Sequence, residues 1–553
     1  MTLDATIARL KAKRGPDEID RVRELLRRPA EPCTDRTEFY ARAGGRMRLH
    51  PLQSWALREI AERGGLLGAI AVGAGKGLIS MLAPLAISHG PRGPSHPRTL
   101  ILIPAKLRGT YAAERAKFSP HFYLHPATVM SSSELSRPES AHKLEELAPE
   151  LIVCDEVHSL RNPTATRTKR VARFLKAHPE TAFVGLSGTI TSRSILDYAH
   201  LLEWALSDGS PLPRAWLNLE SIANCVDVGK VPGPQDMGTM RRLMGTKDYS
   251  QGEARKWMRD RIRQTSGVVS SVDGSVGASL TLEELKCIDT PPGVESALAV
   301  LSETWESPCG QELYSDAMRV AEVERCIAQG FYYRWIWPDG VPDLRWLWSR
   351  KEWSGAVRDA LKRAPAGYDS PALLTRACER GDFRTSELEG AWSDWKTERL
   401  KPEPKSEAIW ISHYLIFEAL RWLDAQKRPA IVWYRHTAVG AALERVGVPT
   451  FGAGTEPPKD AMTCALSIAA HGTGKNLQAW DNQLILCPPS SGAAWEQLLG
   501  RTHRQGQESD EVEASVVMHL DAFKSAMRKA REAARYIVET TEQQQKLLTC
   551  AVR

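Results

Sequence analysis

Short continuous apolar runs constrain the fold of this 553-residue chain more than any other feature. Stretches with helical spacing of apolar residues separate these runs. Uninterrupted apolar segments of this length are typical of strands buried on both faces, as in a parallel sheet covered by helices. We therefore predict an α/β fold. The runs are Gly68–Val72, Thr99–Ile103, Leu151–Cys154, Ala182–Leu186, Ala430–Tyr434, Ala465–Ala469 and Gln483–Leu486.

The positions of the runs divide the chain. Four runs fall within residues 46–205 and three within 406–530, which predicts two parallel-sheet lobes separated by a largely helical insertion at 206–405. Residues 1–45 have apolar residues at roughly helical spacing and predict a helical leader that packs on the first lobe, the alternative being a nucleic-acid-binding arm. Residues 531–553 predict a helical tail.

The composition is that of a globular protein with a large core. Hydrophobic residues make up 42% and charged residues 25%, and the net charge of +6 permits a nucleic-acid partner without indicating one. The ten cysteines are scattered without zinc-ligand spacing, which favours reduced thiols. The sequence shows neither a secretory leader nor an apolar run long enough to cross a membrane. We expect a cytoplasmic protein.

The predicted insertion is rich in tryptophan. Nine of the 17 tryptophans lie between Trp305 and Trp410. Burial of the large indole area is strongly favourable, so we expect a helical core or packing face there. The alternative is a platform on which bases stack. Residues 266–280, rich in glycine, serine and valine, predict a flexible loop or an irregular hairpin.

A glycine-rich turn, AVGAGKG at Ala71–Gly77, lies between a predicted strand and a predicted helix. Backbone N–H groups of such a turn close around phosphate oxygens, and the helix N-terminus adds its dipole. Lys76 would reach the outer phosphates. Gly77 stands where Ser or Thr normally binds Mg²⁺, and Ser80, one helical turn later, is not expected to replace it. The contributing residues are Gly73, Ala74, Gly75, Lys76 and Gly77.

An acid pair ends the third apolar run, in the string LIVCDEVHSLRN at Leu151–Asn162. Mg²⁺ prefers oxygen ligands and keeps most of its waters, so one carboxylate at a strand end suits it. We predict that Asp155 binds the metal and that Glu156 polarises the attacking water in phosphoryl transfer. Acid pairs also occur at ordinary turns, but the position downstream of the glycine-rich turn favours the functional interpretation.

Two further sequence motifs contain polar residues near the ends of predicted strands or helices. LSGTITS at Leu186–Ser192 follows a strand, and its hydroxyl groups could link a nucleotide site to a DNA groove, although a simple turn is the alternative. EQLLGRTHRQGQ at Glu496–Gln507 places Arg501 and Arg504 on one helical face, together with Gln497. These guanidinium groups could neutralise charge that develops on the γ-phosphate. The alternative is a surface salt-bridge face.

Taken together, the strings resemble the motifs of superfamily-two helicases, most closely the Swi/Snf-like DNA translocases. The likeness covers both predicted lobes, and Gly330–Asp343 is similar to the insertion of bacteriophage-encoded members. Gln53, in LHPLQ, occupies the position of the family's adenine contact. The matching segments are Leu49–Gln53, Ala71–Gly77, Thr99–Glu114, Asp155–His158, Ser187–Thr189, Ala430–His436, Ala469–Leu477 and Gln497–Arg504.

This resemblance implies two RecA-like lobes that bind ATP with Mg²⁺ and a DNA-dependent ATPase that translocates on duplex DNA. A phage member would serve DNA replication, recombination or repair in the host bacterial cytoplasm, with protein partners not specified. The alternatives are an RNA-directed helicase and an ATP-gated DNA clamp or loader whose hydrolysis is lost through Gly77. Motif position assigns the DNA backbone contacts to Lys106, Arg108, Thr110, Arg435, His436 and Thr473.

Overall fold

A computed structural model of the chain describes most of its residues and divides it into two compact units. Unit 1 comprises Met1–Gly274 and Ala533–Gln545, and unit 2 comprises Ser275–Glu532 and Lys546–Arg553. The described residues are 18–25, 34–71, 73–90, 96–188, 194–227, 229–271, 278–310, 312–314, 316–362, 368–383, 385–458, 460–472, 474–504, 506–541 and 543–552.

Unit 1 contains a six-stranded parallel sheet with the strand order β3-β2-β4-β5-β1-β6. Alternate residues of a strand enter cores on opposite faces: Leu151 and Val153 pack in one core, and Ile152 and Cys154 in the other. Because both faces are covered, the strands read as continuous apolar runs. The strands are β1 Leu66–Ala69, β2 Thr99–Ile103, β3 Thr128–Ser131, β4 Leu151–Asp155, β5 Ala182–Ser187 and β6 Val268–Ser270.

Eleven α-helices of unit 1 lie within its described residues, and they form its two cores together with the sheet. The helices are α1 Glu18–Glu24, α2 Thr37–Tyr40, α3 Pro51–Arg63, α4 Lys76–Ser88, α5 Arg108–Phe118, α6 Lys143–Leu147, α7 Thr166–Ala177, α8 Ala199–Leu206, α9 Trp216–Val226, α10 Pro234–Met244 and α11 Gln251–Arg263.

Unit 2 contains a seven-stranded parallel sheet with the order β11-β12-β10-β13-β14-β7-β15, and a separate antiparallel pair, β8 and β9. The prediction of an α/β fold with two parallel sheets is therefore confirmed. The strands are β7 Ser279–Leu285, β8 Phe331–Ile336, β9 Lys405–Trp410, β10 Ile431–Tyr434, β11 Thr450–Phe451, β12 Cys464–Ser467, β13 Asn482–Ile485, β14 Glu511–Val517 and β15 Ala551–Val552.

The helices of unit 2 surround its sheet and form the region rich in tryptophan. Among the described residues, no helix of either unit is both long and apolar enough to span a bilayer. The helices are α12 Pro292–Thr304, α13 Ala317–Ala328, α14 Leu344–Lys362, α15 Pro371–Glu379, α16 Ser386–Glu398, α17 Tyr414–Asp424, α18 Thr437–Arg445, α19 Ile468–His471, α20 Gly492–Leu499, α21 Asp521–Thr541, which continues into unit 1, and α22 Lys546–Thr549.

The boundary between the units lies inside the predicted insertion rather than at its ends. Helices α9, α10 and α11 bury residues such as Ile222 and Met258 in the core of the first sheet, so they belong to unit 1. The hairpin interpretation of residues 266–280 is wrong, because β6 joins the first sheet and β7 the second. The tail is also not wholly helical, since β15 pairs with β7.

The described part of the leader packs on unit 1. Ile19 and Val22, on α1, are buried in the core that contains β1 residues. Arg21 donates through its guanidinium group to the backbone carbonyls of Asp208, Ser210 and Leu212, at 2.7–3.0 Å. These contacts favour the interpretation of α1 as part of the folded unit. Residues 1–17 and 26–33 of the leader lie outside the described residues.

Tryptophans of the predicted insertion form a packed cluster in unit 2. The ring of Trp346 contacts those of Trp335 and Trp337 edge-on, with centroids 5.7 Å apart in each case. Trp353 and Trp392 are buried in a second small core formed by α14, α15 and α16. Burial of these rings supports the core interpretation over the base-stacking platform.

Trp346→Ala is expected to destabilise unit 2 by about 3–5 kcal/mol, because it removes a large side chain that is only 2% exposed. The matched control is Trp348→Ala on the same helix, whose side chain is 55% exposed and whose loss should change stability by less than about 0.5 kcal/mol. Urea unfolding followed by circular dichroism measures both. Equal effects for the two variants would contradict the packed cluster.

Candidate functional site

Three motifs of unit 1 meet at one edge of its sheet. Strands β4, β5 and β1 are neighbours and run parallel, so their carboxyl ends lie together. The glycine-rich turn follows β1, Asp155 ends β4, and Ser187 ends β5. In open parallel sheets this edge is where ligands bind. The sequence prediction that these residues share a site is thus consistent with the topology.

The glycine-rich turn adopts a backbone that few residues other than glycine accept. Gly73 and Gly75 have φ angles of 91° and 80°, and Gly75 is the N-cap of α4. A Cβ atom on Gly75 would lie 2.1 Å from Nε2 of Gln53. Gln53 donates to the carbonyl of Gly75 at 3.2 Å and accepts from His50 N at 2.8 Å, so the predicted adenine contact lies against the turn. Val72 lies outside the described residues.

Lys76 is the first residue of α4, and its side chain is 9% exposed. Its ammonium group donates to the carbonyl of Ile70 at 3.1 Å and lies 3.7 Å from Oε1 of Glu156. A buried ammonium group beside a turn of backbone amides provides positive charge where a phosphate would sit. The structure therefore brings together Lys76 and Glu156, two residues that the sequence assigned to one site.

The second acid, Glu156, is held in a strained conformation by hydrogen bonds. Its φ angle of 64° is left-handed, which costs a residue with a side chain about 1–3 kcal/mol. Ser187 Oγ donates to Glu156 Oε2 at 3.3 Å, and His158 Nδ1 lies 3.2 Å from that oxygen and 3.0 Å from Ser187 Oγ. This network joins the acid pair to the third motif. The sequence analysis assigned no role to His158, and the predicted link from these hydroxyl groups to a DNA groove stays a prediction.

The first acid, Asp155, carries a buried oxygen with an open coordination position. Its Oδ1 is buried and has no hydrogen-bond partner within the described part of the chain. Burial, followed by the negative charge of Glu156, raises the pKa of Asp155 to about 7; Lys76 opposes this effect and Glu114 adds to it. An unpartnered carboxylate oxygen is costly unless a cation binds it. The donor chemistry fits Mg²⁺, which takes oxygen ligands.

Gly77 leaves a space that another side chain fills. A Cβ atom on Gly77 would lie 2.5 Å from Oε2 of Glu114, on α5. The place of the expected Ser or Thr side chain is therefore taken by a carboxylate. Ser80 Oγ donates to the carbonyl of Gly77 at 2.8 Å within its own helix, and this supports the expectation that Ser80 does not replace the missing hydroxyl. Sequence reasoning did not identify Glu114 as a site residue.

The residues of the sixth motif lie in unit 2, and the prediction that Arg501 and Arg504 share a helical face is wrong, because α20 ends at Leu499. Arg501 is buried and donates to the carbonyl of Lys475 at 3.1 Å and to the carbonyl of Gln497 at 3.0 Å. Its guanidinium group also contacts Oε1 of Gln497 at 3.3 Å. Arg504 is partly exposed and donates to Oδ1 of Asn476. Both arginines thus bind the segment of the fifth motif, and Arg501 has the environment of a structural residue.

The predicted DNA contacts fall into different environments. Lys106 and Arg108 are exposed and Thr110 partly exposed just after β2, at the sheet edge of the acid pair. Arg108 pairs with Glu134 at 2.6 Å.

In unit 2 the candidate contacts differ in accessibility, since Arg435 is exposed and His436 is not. Arg435 pairs with Glu322 at 3.1 Å. His436 is largely buried beside Phe331, and burial lowers its pKa to about 4, so the neutral ring is poorly suited to a phosphate. Thr473, like Thr189 of the third motif, lies outside the described residues.

Neither the family models nor the curated proteins contain a match to this sequence. The motif residues and the geometry of the site in unit 1 are therefore the observations that bear on function.

Asp155→Asn is expected to raise the melting temperature of the ligand-free protein at pH 8 by roughly 2–4 °C, as expected for about 1 kcal/mol in a domain of this size. The folded-state pKa of Asp155 is raised, so its contribution to stability is present at acid pH and is lost as pH rises through about 7. Because asparagine does not ionise, the variant does not lose stability as the pH rises. Because the ordinary carboxyl pKa of 3.8 rises to about 7 in the folded protein, the gain should be smaller at pH 5 than at pH 8 and should vanish only below about pH 4, which thermal scans across this range measure.

Asp35→Asn is a control, because the opposite change in melting temperature is expected for it. Hydrogen bonds from Thr37 and Arg48 lower the pKa of Asp35 to about 2, so its carboxylate stabilises the folded state at neutral pH. This variant should melt lower than the parent at pH 8. A lower melting temperature for Asp155→Asn as well would contradict the strained acid site.

The two arginines of the sixth motif should contribute differently to the stability of the protein. Arg501→Ala leaves the buried carbonyls of Lys475 and Gln497 without their donor and should cost about 3 kcal/mol. Arg504→Ala, at a partly exposed position, should cost less than about 1 kcal/mol. Urea midpoints of unit 2 fluorescence measure both, and a larger loss for Arg504→Ala would refute the assignment of Arg501 as structural.

Proposed function

We propose that this chain is an ATP hydrolase that couples nucleotide turnover to movement along DNA. The observation that carries the proposal is the cluster at the sheet edge of unit 1: buried Lys76 lies 3.7 Å from Glu156, beside a glycine-rich turn and an unpartnered oxygen of Asp155. A phosphate-binding turn, a buried cation and a pair of acids are the groups that phosphoryl transfer needs.

The phosphates of ATP would be bound by the amides at the start of α4 and by Lys76. The left-handed glycines, Gly73 and Gly75, allow the backbone to approach a ligand closely. Lys76 lies between the turn and Glu156, so an incoming phosphate would compete with that carboxylate for the ammonium group. Nucleotide binding then changes the charge around Glu156, and this links substrate arrival to the acid pair.

Glu156 would orient the attacking water and accept its proton. Ser187 and His158 hold one oxygen of its carboxylate, which leaves the other directed towards Lys76. Asp155 would hold Mg²⁺, and a bound Mg²⁺ neutralises charge on the phosphate oxygens. Each residue would thus have its own role: Lys76 would bind the phosphates, Glu156 would activate the water, and Ser187 would position Glu156.

DNA would be contacted at the same edge of the sheet. Lys106 and Arg108 are exposed after β2, and β2 is the neighbour of β4, which carries the acids. Positive side chains that bind the phosphate backbone give sequence-independent, salt-sensitive binding. Ser187, at the end of β5, donates to Glu156 and would connect the two sites. The association with phage DNA metabolism is proposed from the resemblance of Gly330–Asp343 alone.

The proposal is tested by phosphate release from ATP in the presence of duplex DNA, single-stranded DNA or RNA. We expect duplex DNA to stimulate the parent most. Lys76→Ala should lower the rate by roughly a hundredfold or more, because it removes the cation that stabilises the phosphates. Lys143→Ala, an exposed lysine paired with Glu146, is the matched control and should leave the rate unchanged.

The alternatives give different results in this assay. An ATP-gated clamp or loader would bind ATP and DNA but release no phosphate above background. An RNA-directed helicase would respond most strongly to RNA. Failure of the parent to bind ATP, or equal rates for the parent and Lys76→Ala, would refute the proposed site.

A further inference from the structure

We infer that Glu114 binds the divalent cation that accompanies the nucleotide, either directly or through a water molecule. It would take the place of the hydroxyl group that is missing at Gly77. The inference rests on the proposed function and deepens it. It concerns a residue on α5, outside the glycine-rich turn and the acid pair, and it specifies a carboxylate where this type of turn ordinarily offers Ser or Thr.

The first observation is steric. Helices α4 and α5 pack together, and the carboxylate of Glu114 enters the space above Gly77. A Cβ atom at position 77 would lie 2.5 Å from Glu114 Oε2 and 3.6 Å from its Cδ. A side chain at 77 would therefore displace the carboxylate of Glu114 from this position. The glycine is explained as the residue that admits Glu114.

The second observation is the open position on Asp155. Its Oδ1 is buried and has no hydrogen-bond partner among the described residues, which is costly for an ionised oxygen. Glu114 lies against Gly77, and the preceding residue, Lys76, lies 3.7 Å from Glu156, the neighbour of Asp155, so Glu114 and the acid pair approach one space. Two protein carboxylates that approach one space repel unless a cation joins them.

Asp155 has charged neighbours of both signs: Glu156 and Glu114 disfavour its ionisation, and Lys76 favours it. Within the described residues, no group of three or more His, Cys, Asp and Glu side chains has the geometry of a complete metal site. Mg²⁺ does not require one, because it keeps several waters and uses one or two carboxylates together with substrate phosphates. Glu114 and Asp155 suit that requirement, either directly or through a bound water.

The geometry makes a reciprocal prediction. Gly77→Thr restores the usual hydroxyl but places a side chain where Glu114 stands, so the single exchange should weaken cation binding rather than improve it. Glu114→Gln keeps the shape and removes the charge, and it should weaken binding roughly 10–100-fold. Gly77→Thr combined with Glu114→Ala should bind the cation more tightly than the sum of the two single effects predicts.

The experiment is a titration of the full chain with Mn²⁺, followed by electron paramagnetic resonance in the presence of saturating ADP. Glu139→Gln, an exposed glutamate, is the matched control and should equal the parent. Asp155→Asn should lose the bound-Mn²⁺ signal. Glu114→Asp, which retains the charge on a shorter side chain, should fall between Glu114→Gln and the parent, and thermal melts confirm that each variant folds.

The outcomes separate this inference from the proposed function. If the parent binds ADP and Mn²⁺ and Glu114→Gln has the parent's Mn²⁺ affinity, the role of Glu114 is refuted while the proposed function stands. Strictly additive effects in the Gly77 and Glu114 double variant would also refute the reciprocal pair. If the parent binds no ADP, the proposed function fails, and the inference fails with it.

Discussion

The convergence of charged groups at the carboxyl edge of the first parallel sheet determines what unit 1 can do. Parallel strands deliver their carboxyl ends to one side, so the turn after β1, Asp155 after β4 and Ser187 after β5 become neighbours. Burial then makes the ionised state of these groups unfavourable in free energy. Lys76 balances part of the negative charge, and an unpartnered oxygen of Asp155 remains. In the proposed function, the cation would bind at this oxygen and the phosphate beside Lys76.

The same edge contains one of the strained backbone positions of the unit. Glu156 adopts a left-handed backbone that costs free energy, and the hydrogen bond from Ser187 and the contact with His158 hold its carboxylate in one orientation. A fixed carboxylate needs little reorganisation when it orients a water molecule. Strain and buried charge lower the stability of the unliganded protein, and this is the usual trade between stability and activity. The large cores on both faces of the sheet offset that cost.

The sequence was sufficient for the strands that are continuous apolar runs and for the residues that follow them directly, but it did not predict strands such as β3 and β14. Apolar runs such as Thr99–Ile103 are buried on both faces, so the strands were readable, and the polar strings at their ends identified Lys76, Asp155, Glu156 and Ser187. Glu114 was not found, because its role depends on how α5 packs on α4 and no local pattern encodes that packing. The unit boundary was also missed. Strand β6 has only three residues, and it lies next to a segment rich in glycine and serine that resembles a loop.

His436 illustrates a second limit of sequence reasoning. Its position after an apolar strand suggested a polar contact with DNA, but residues distant in sequence, such as Cys326 and Phe331, enclose the ring. Enclosure by distant segments depends on tertiary packing, and a motif does not carry that information. Arg501 is similar, since the carbonyl of Lys475 takes up its guanidinium group. Motif position identifies a conserved type of chemistry only where the surrounding fold leaves the side chain accessible.

The most direct test of the account is hydrogen exchange of the backbone amides in unit 1, with and without ADP and Mg²⁺. If the turn binds phosphates, amides of residues 73–77 and of the segment after β4 should exchange more slowly when the nucleotide is present, because the amides donate to the ligand. The remote helix α10 should be unaffected and serves as the internal reference. Unchanged exchange at the turn, under conditions in which ADP is bound elsewhere on the chain, would contradict the central claim.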